Sequence, residues 1–423
     1  LAVNRASEVA PFPAGGLNAE AAGSPGRWRI VALLFFATTI NYLDRIALAV
    51  LIPVIRRDLH FSDREYGFIT GAFQIAYMAG FLVAGKFIDR VGTRLGYFAS
   101  VALWSVSALL HMVSHGVWSL GFWRSALGFG EAGNYPAGIK AVGEWFSDRE
   151  RAYAVGLFNF GVTAASVAGP PILVAITSVW GWRAAFALTS ATGFVWLLVW
   201  MLTWRDPPER EARPRRVGVW SEALRDRRTW GMAIVKFLTD GVWWFYIFWM
   251  PPYLYDARKF NLNQVGWALP VIYLMAGVGS IAGGWLAGYL MRRGSGMASA
   301  RRTVMGICAA CMPIAALAVV APSPAMAIAL IGLATASHQA WSSNLFTMPS
   351  DIFPGWLVAS VFSISGAAGG LGGFLFSAFI PALVIPHFGY VPMFALAGVL
   401  HPLAWILGCG LLWYKAALAE SNA

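Results

Sequence analysis

Twelve stretches of this chain are too long and too apolar for a water-soluble domain. They fall at about 28–54, 65–85, 95–114, 117–144, 153–178 and 182–203, then at 229–255, 264–291, 302–321, 325–350, 356–385 and 389–414. A helix that crosses the hydrocarbon layer needs about 20 mostly apolar residues, because its backbone N–H and C=O groups have to be satisfied within the segment. The pattern predicts an all-α polytopic membrane protein with twelve transmembrane helices in two six-helix bundles. Only 12% of the residues are charged, against about 25% in a typical soluble domain. Several runs exceed the minimum length, so tilted or kinked helices are expected. Pro136, Pro170, Pro171 and Pro270 lie inside runs, where a missing N–H and a ring clash bend a helix.

The two sets of six are separated by one long polar segment, 204–228, with eight arginines and five acids. The predicted organisation is an N-terminal tail (1–27), a first bundle (28–203), a cytoplasmic linker (204–228), a second bundle (229–415) and a C-terminal tail (416–423). Trp220 and Leu224 suggest a short amphipathic helix in the linker. With the N-terminus inside, predicted inner segments hold 21 Lys or Arg and outer segments hold 6. That bias places both termini in the cytoplasm. The tail Leu1–Arg27 has no short apolar core before a small-residue site, so no cleavable signal peptide is expected.

The same distribution accounts for the net charge of +11 without a nucleic-acid partner. Cys308, Cys311 and Cys409 lie in apolar runs and read as small packing residues, not a disulfide framework or zinc module. The six histidines are scattered. No metal constellation, nucleophile triad or Walker sequence is apparent, and no ring of one repeated charge suggests a channel. No enzyme activity, cofactor or metal is expected.

Ionisable residues inside spans cost about 2.5–3.5 kcal/mol each, so they are functional candidates by default. Asp44 and Arg45 stand mid-span in the first helix, and Arg124 and Glu131 are seven apart in the fourth, within about 20° of one helix face. A guanidinium suits a carboxylate and stays charged, whereas a carboxyl group between burial and a nearby arginine is under opposing influences. Such a group can change protonation as its surroundings change. Lys236 and Asp240, four apart, fit an intrahelical pair or a cavity role. Tyr42, Tyr77 and the Trp243, Trp244, Phe245 and Trp249 cluster offer ring faces. His338, Gln339, Asn344 and Ser365 put polar groups into the tenth and eleventh spans.

A faint repeat joins the halves. Gly85-x-x-x-Asp89-Arg90-x-Gly92-x-Arg94 follows the second span, and Gly284-x-x-x-Gly288-x-x-x-Arg292-Arg293 stands at the equivalent place in the second half. Corresponding positions in two six-span halves are what a parallel-repeat transporter predicts. The first loop, with Arg124-x-x-x-Gly128-x-Gly130-x-Ala132, resembles the motifs of the major facilitator superfamily. Asn41-Tyr-Leu-Asp44-Arg45 and Gly130-Glu131-Ala-Gly-Asn-Tyr-Pro136 resemble the anion:cation symporter family within it. The block from His338 to Pro354, and Trp243–Trp249 with Tyr253–Arg258, resemble its bacterial hexuronate transporters.

The resemblance implies proton coupling at Glu131 and Asp44, and anion binding by Arg45 and Arg124. Tyr42, Tyr77, Trp243, Trp249, His338, Gln339, Asn344 and Ser365 are the further substrate-contact candidates. Asp89, Arg90, Arg94 and Glu144 are expected at a cytoplasmic gate, with Lys140 beside them. Gly288 replaces the acid in the second half, so that contact set is expected to be lopsided. Gly161–Ser166 carries small residues where some family members have a larger polar side chain, so binding on that wall does not carry over. The implied activity is proton-coupled import of a sugar-acid anion by alternating access, most specifically a hexuronate such as glucuronate or galacturonate. An aldonate, an aldarate, another organic carboxylate or anion antiport are the alternatives. The expected setting is a bacterial inner membrane, with the lipid bilayer, the anion and protons as partners and a monomer as the working unit.

Overall fold

The protein is described by a computed structural model covering residues 26–146, 148–205 and 219–412. The predicted tails and the middle of the linker lie outside the described residues. Within them, regular structure is helical throughout. The first half comprises α1 (Gly26–Leu59), α2 (Asp63–Val91), α3 (Thr93–Leu110), α4 (Val117–Glu131), α5 (Asn134–Trp145) and α6 (Asp148–Thr203). The linker end forms α7 (Val219–Arg225), with Trp220 and Leu224 exposed. The second half comprises α8 (Arg227–Pro252), α9 (Leu262–Arg292), α10 (Met297–Cys311), α11 (Ile314–Val320), α12 (Pro324–Ile352), α13 (Gly355–Phe374), α14 (Ile380–Phe388) and α15 (Val391–Leu411).

Helices and spans do not correspond one to one, and local chemistry explains the differences. α6 contains the fifth and sixth spans, joined at Gly181, whose φ of 81° is open to glycine at little cost. The fourth span is broken at Ala132–Gly133 into α4 and α5. The ninth breaks at Met312–Pro313, and a π-turn at Leu375–Phe379 interrupts the eleventh. Start signals are local too. Ser62 and Glu65 form a reciprocal capping box at α2, as do Asn261 and Gln264 at α9. Asp226 caps α8 by accepting from the Arg228 backbone N–H at 2.8 Å.

By length and apolarity alone, eight helices among the described residues can cross a membrane, one of them containing two spans. The fourth, seventh and tenth spans fall short of that test. The fourth is divided into α4 and α5, of 15 and 12 residues; the seventh carries Lys236 and Asp240, and the tenth His338 to Asn344.

The first bundle packs α1 on α6 and α2 on α4; the second packs α8 on α13 and α9 on α12. Between them α6 meets α9, α1 meets α8, and α2 meets α14 and the preceding π-turn. The halves are clasped at the end assigned by sequence to the outside. Arg56 pairs with Asp63 of its own half and with Asp256 of the other at 2.6 Å. Tyr66 donates its hydroxyl proton to the Phe248 carbonyl at 2.8 Å. At the opposite end the contacts run within each half. Lys140 pairs with Asp89 at 3.0 Å, and Thr93 donates to Glu144 at 2.7 Å. Arg94 donates to the Met201 carbonyl at 3.0 Å, while Arg90 is exposed. In the second half Arg301 pairs with Asp351, so the lopsidedness expected from Gly288 takes the form of a different ion pair.

Candidate functional site

Four charged side chains from α1 and α4 converge in the first bundle, each at most 1% exposed. α4 is seated closely on α2, and from that seat its long side chains reach α1. A Cβ on Gly128 would lie 2.6 Å from the Phe73 carbonyl oxygen, so only glycine lets α4 sit this near α2. Arg45 donates from Nε to Glu131 Oε2 at 2.7 Å and from Nη2 to Asn41 Oδ1 at 3.1 Å. Glu131 ends α4, and its second oxygen, Oε1, has no hydrogen-bond partner.

Arg124 does not bond to Glu131, despite the shared helix face. It reaches across to the first span, donating from Nη2 to the Arg45 carbonyl at 2.5 Å and from Nη1 to the Asp44 carbonyl at 3.4 Å. Those carbonyls are available because a guanidinium can satisfy a second lone pair on a helical C=O. Asp44 is different: neither carboxylate oxygen reaches a hydrogen-bond partner, although the Thr189 hydroxyl stands beside it. Below the charges, Asn134 links Tyr97, which donates to it at 2.6 Å, to the Thr38 hydroxyl at 3.1 Å.

Aromatic rings enclose the two guanidiniums. The Arg45 Cζ lies 4.4 Å from the Tyr42 ring centre, 5.0 Å from Tyr77, 5.3 Å from Trp244 and 5.6 Å from Phe73. The Arg124 Cζ lies 4.7 Å from Phe73 and 5.8 Å from Phe248. Phe73 therefore serves both cations. Trp244 and Phe248, stacked at 5.7 Å, are the second half's contribution. Desolvated cation–π contacts contribute about 2 kcal/mol.

The structure thus brings together Tyr42, Asp44, Arg45, Tyr77, Arg124 and Glu131. It places the second-half candidates elsewhere. Trp249 is fully buried, donates to the Ser377 carbonyl at 2.7 Å and packs edge-on against Tyr66 at the clasped end. Trp243 stacks on His338, which shares a 3.0 Å hydrogen bond with His401. Asn344 accepts from Arg301 at 3.1 Å, beside the Arg301–Asp351 pair. Buried Ser365 donates to the Phe362 carbonyl at 3.2 Å, and Gln339 is half-buried. Phe73 and Phe248 are the contacts that sequence reading left unassigned, and Trp244, read there only as one ring of the seventh-span cluster, is the one that faces Arg45. Their signal is present as two i,i+4 aromatic pairs, Phe73 with Tyr77 and Trp244 with Phe248. Among the described residues no group of His, Cys, Asp and Glu is arranged to hold a metal ion.

The family model described as Major Facilitator Superfamily matches residues 34–347. The chain belongs to the Major Facilitator Superfamily. It is a multi-pass membrane transporter and not an enzyme. It is similar to the hexuronate transporter of Escherichia coli (strain K12), with 29% identity over 92% of this chain and 93% of that protein. The galacturonate transporter of Dickeya chrysanthemi is 31% identical over 62% of this chain and 81% of its own length. The D-galactonate transporter of Escherichia coli O6:H1 is 28% identical over 90% and 96%. Among solved structures, a bacterial homologue of the human lysosomal transporter Spinster, inward-facing and unoccupied, superposes with a TM-score of 0.72. It shows 19% identity over 92% of this chain and 96% of its own. That likeness establishes the facilitator fold and its twelve-helix plan.

Proposed function

We propose that this transporter is a proton-coupled symporter that imports a sugar-acid monoanion, with hexuronates as the leading class, by alternating access. The observation that carries the reading is the Arg45–Glu131 pair, buried in an aromatic cage whose last wall, Trp244, belongs to the other half. A substrate carboxylate and the Glu131 carboxylate compete for one guanidinium. Protonation of Glu131 removes its charge and frees Arg45 for the substrate. Arg124, anchored on the first-span carbonyls, keeps a second positive charge nearby. Asp44, without a hydrogen-bond partner on either oxygen, is the second proton site in this scheme.

Support for the cargo comes from relatives that cover nearly the whole chain and are named for hexuronate and D-galactonate transport. The bias of basic residues supports a bacterial inner-membrane orientation with both termini cytoplasmic. Because one of those relatives is a galactonate transporter, an aldonate is the second reading. Purified protein in proteoliposomes under an imposed pH gradient tests both. Uphill uptake of labelled glucuronate or galacturonate, abolished by a protonophore, is expected. Equilibration without accumulation, or accumulation that requires a counter-anion inside, would replace symport with facilitation or antiport.

A further inference from the structure

One charged pair of the second half takes no part in this scheme. Lys236 and Asp240 on α8 are joined at 2.8 Å, and they differ sharply in burial, with side chains 3% and 20% exposed. The lysine is tucked behind the rings of Phe346 on α12 and Phe362 on α13, 4.3 and 5.8 Å away. The carboxylate is the exposed end. Four residues on along α8 stands Trp244 and four more Phe248, the two rings that face the guanidiniums of the first half. A four-residue step turns a helix by only about 40° and advances it about 6 Å. Asp240 therefore continues the face that meets the first half, one turn beyond the cage, while Lys236 is turned further away. From the eleventh span, Gly369 leaves room for the carboxylate in this pose: a Cβ there would lie 2.2 Å from Asp240 Oδ2.

We propose that Asp240, held by Lys236 in the space that Gly369 leaves open, is a specificity-determining residue that reads the end of the substrate remote from Arg45. The proposal rests on the sugar-acid reading above. A six-carbon acid with its carboxylate on Arg45, with C–C bonds of about 1.5 Å, extends about as far as one helical turn. Its far hydroxyl groups then meet the carboxylate paired with Lys236, whose oxygens accept hydrogen bonds and make strong ones with neutral O–H donors. A dicarboxylate in the same pose brings a second negative charge to the negative end of the Lys236–Asp240 pair. The site thus selects polyhydroxy monocarboxylates and rejects aldarates.

The test is competition against labelled hexuronate uptake in proteoliposomes, with unlabelled galactonate as monoanion and galactarate as dianion. The wild type is expected to prefer galactonate by about tenfold or more, and Asp240→Asn to lose about tenfold of that preference. Gly369→Ala, which displaces the carboxylate without removing it, is expected to move the preference in the same direction. If Asp240→Asn does not purify as a folded protein because Lys236 is left unpaired, the Lys236→Met/Asp240→Asn double variant is read in its place. An unchanged preference in the folded variants, or a wild type that favours galactarate, overturns the assignment. A wild type that accumulates no sugar acid overturns the parent reading, and the assignment falls with it.

Discussion

The two halves share a fold and divide the chemistry. The first half holds both buried cations by hydrogen bonds: Arg45 on the Glu131 carboxylate, Arg124 on the carbonyls of the first span. The second half answers with ring faces, Trp244 and Phe248, which touch those cations without a hydrogen bond. A hydrogen-bonded ion pair demands a fixed geometry, whereas a ring face tolerates sliding. Around Arg45 and Arg124 the contact between bundles is thus the undirected one, whereas the directed contacts between the halves, Arg56 with Asp256 and Tyr66 with the Phe248 carbonyl, stand at the clasped end.

The largest effect that would break this division is at Glu131. Glu131→Gln is expected to abolish accumulation driven by a pH gradient while counterflow exchange persists; loss of both activities together would mean that the acid is structural. Next is Arg45→Lys, which keeps the charge but loses the planar fork. Uptake should fall at least about 30-fold, the equivalent of about 2 kcal/mol for an impaired buried pair, and equal activity would show that charge alone suffices. Trp244→Leu removes the ring contact across the halves, worth about 1 kcal/mol. In a protein whose cysteines are replaced by serine, thiol labelling of Ala382→Cys, which sits on α14 against Gly67 of α2 at the clasped end, should then quicken about fivefold. No change would make the ring a bystander.

The smallest effect is at the start of the second bundle. Hydrogen bonds from Arg228 hold the Asp226 carboxyl below the usual carboxylate range. Its stabilisation is therefore present above that range and disappears as pH falls through the lowered value. Asp226→Ala should cost about 1 kcal/mol of stability as a lost cap, read by thermal unfolding in detergent, with substrate preference untouched.

Twelve apolar runs and the loop motif made the architecture legible, because span length and internal hydrogen bonding leave a membrane chain few options. The charged candidates of the first half were legible for the same reason, since a charge in hydrocarbon is conspicuous. Aromatic and polar candidates were not separable in that way. Trp243, Trp244 and Trp249 are alike in sequence, and only packing reveals that Trp244 reaches Arg45 while Trp249 packs on Tyr66 at the clasped end. Helical periodicity put Arg124 and Glu131 on one face, but the neighbouring first span supplied each with a different partner. Asn344 drew notice as a polar residue mid-span; its bond to Arg301 depends on where α10 begins, a detail that apolar runs do not specify.

The flush seating of Gly128 on the Phe73 backbone has a reach beyond packing. Phe73 is the ring common to both guanidiniums, so its main chain acts as a spacer that sets how far apart two fixed positive charges stand. A single added methyl group at Gly128, one turn along α4 from Arg124, would be felt as a rescaling of that interval, and under the proposed function an anion sized for the native gap would meet a mismatched pair.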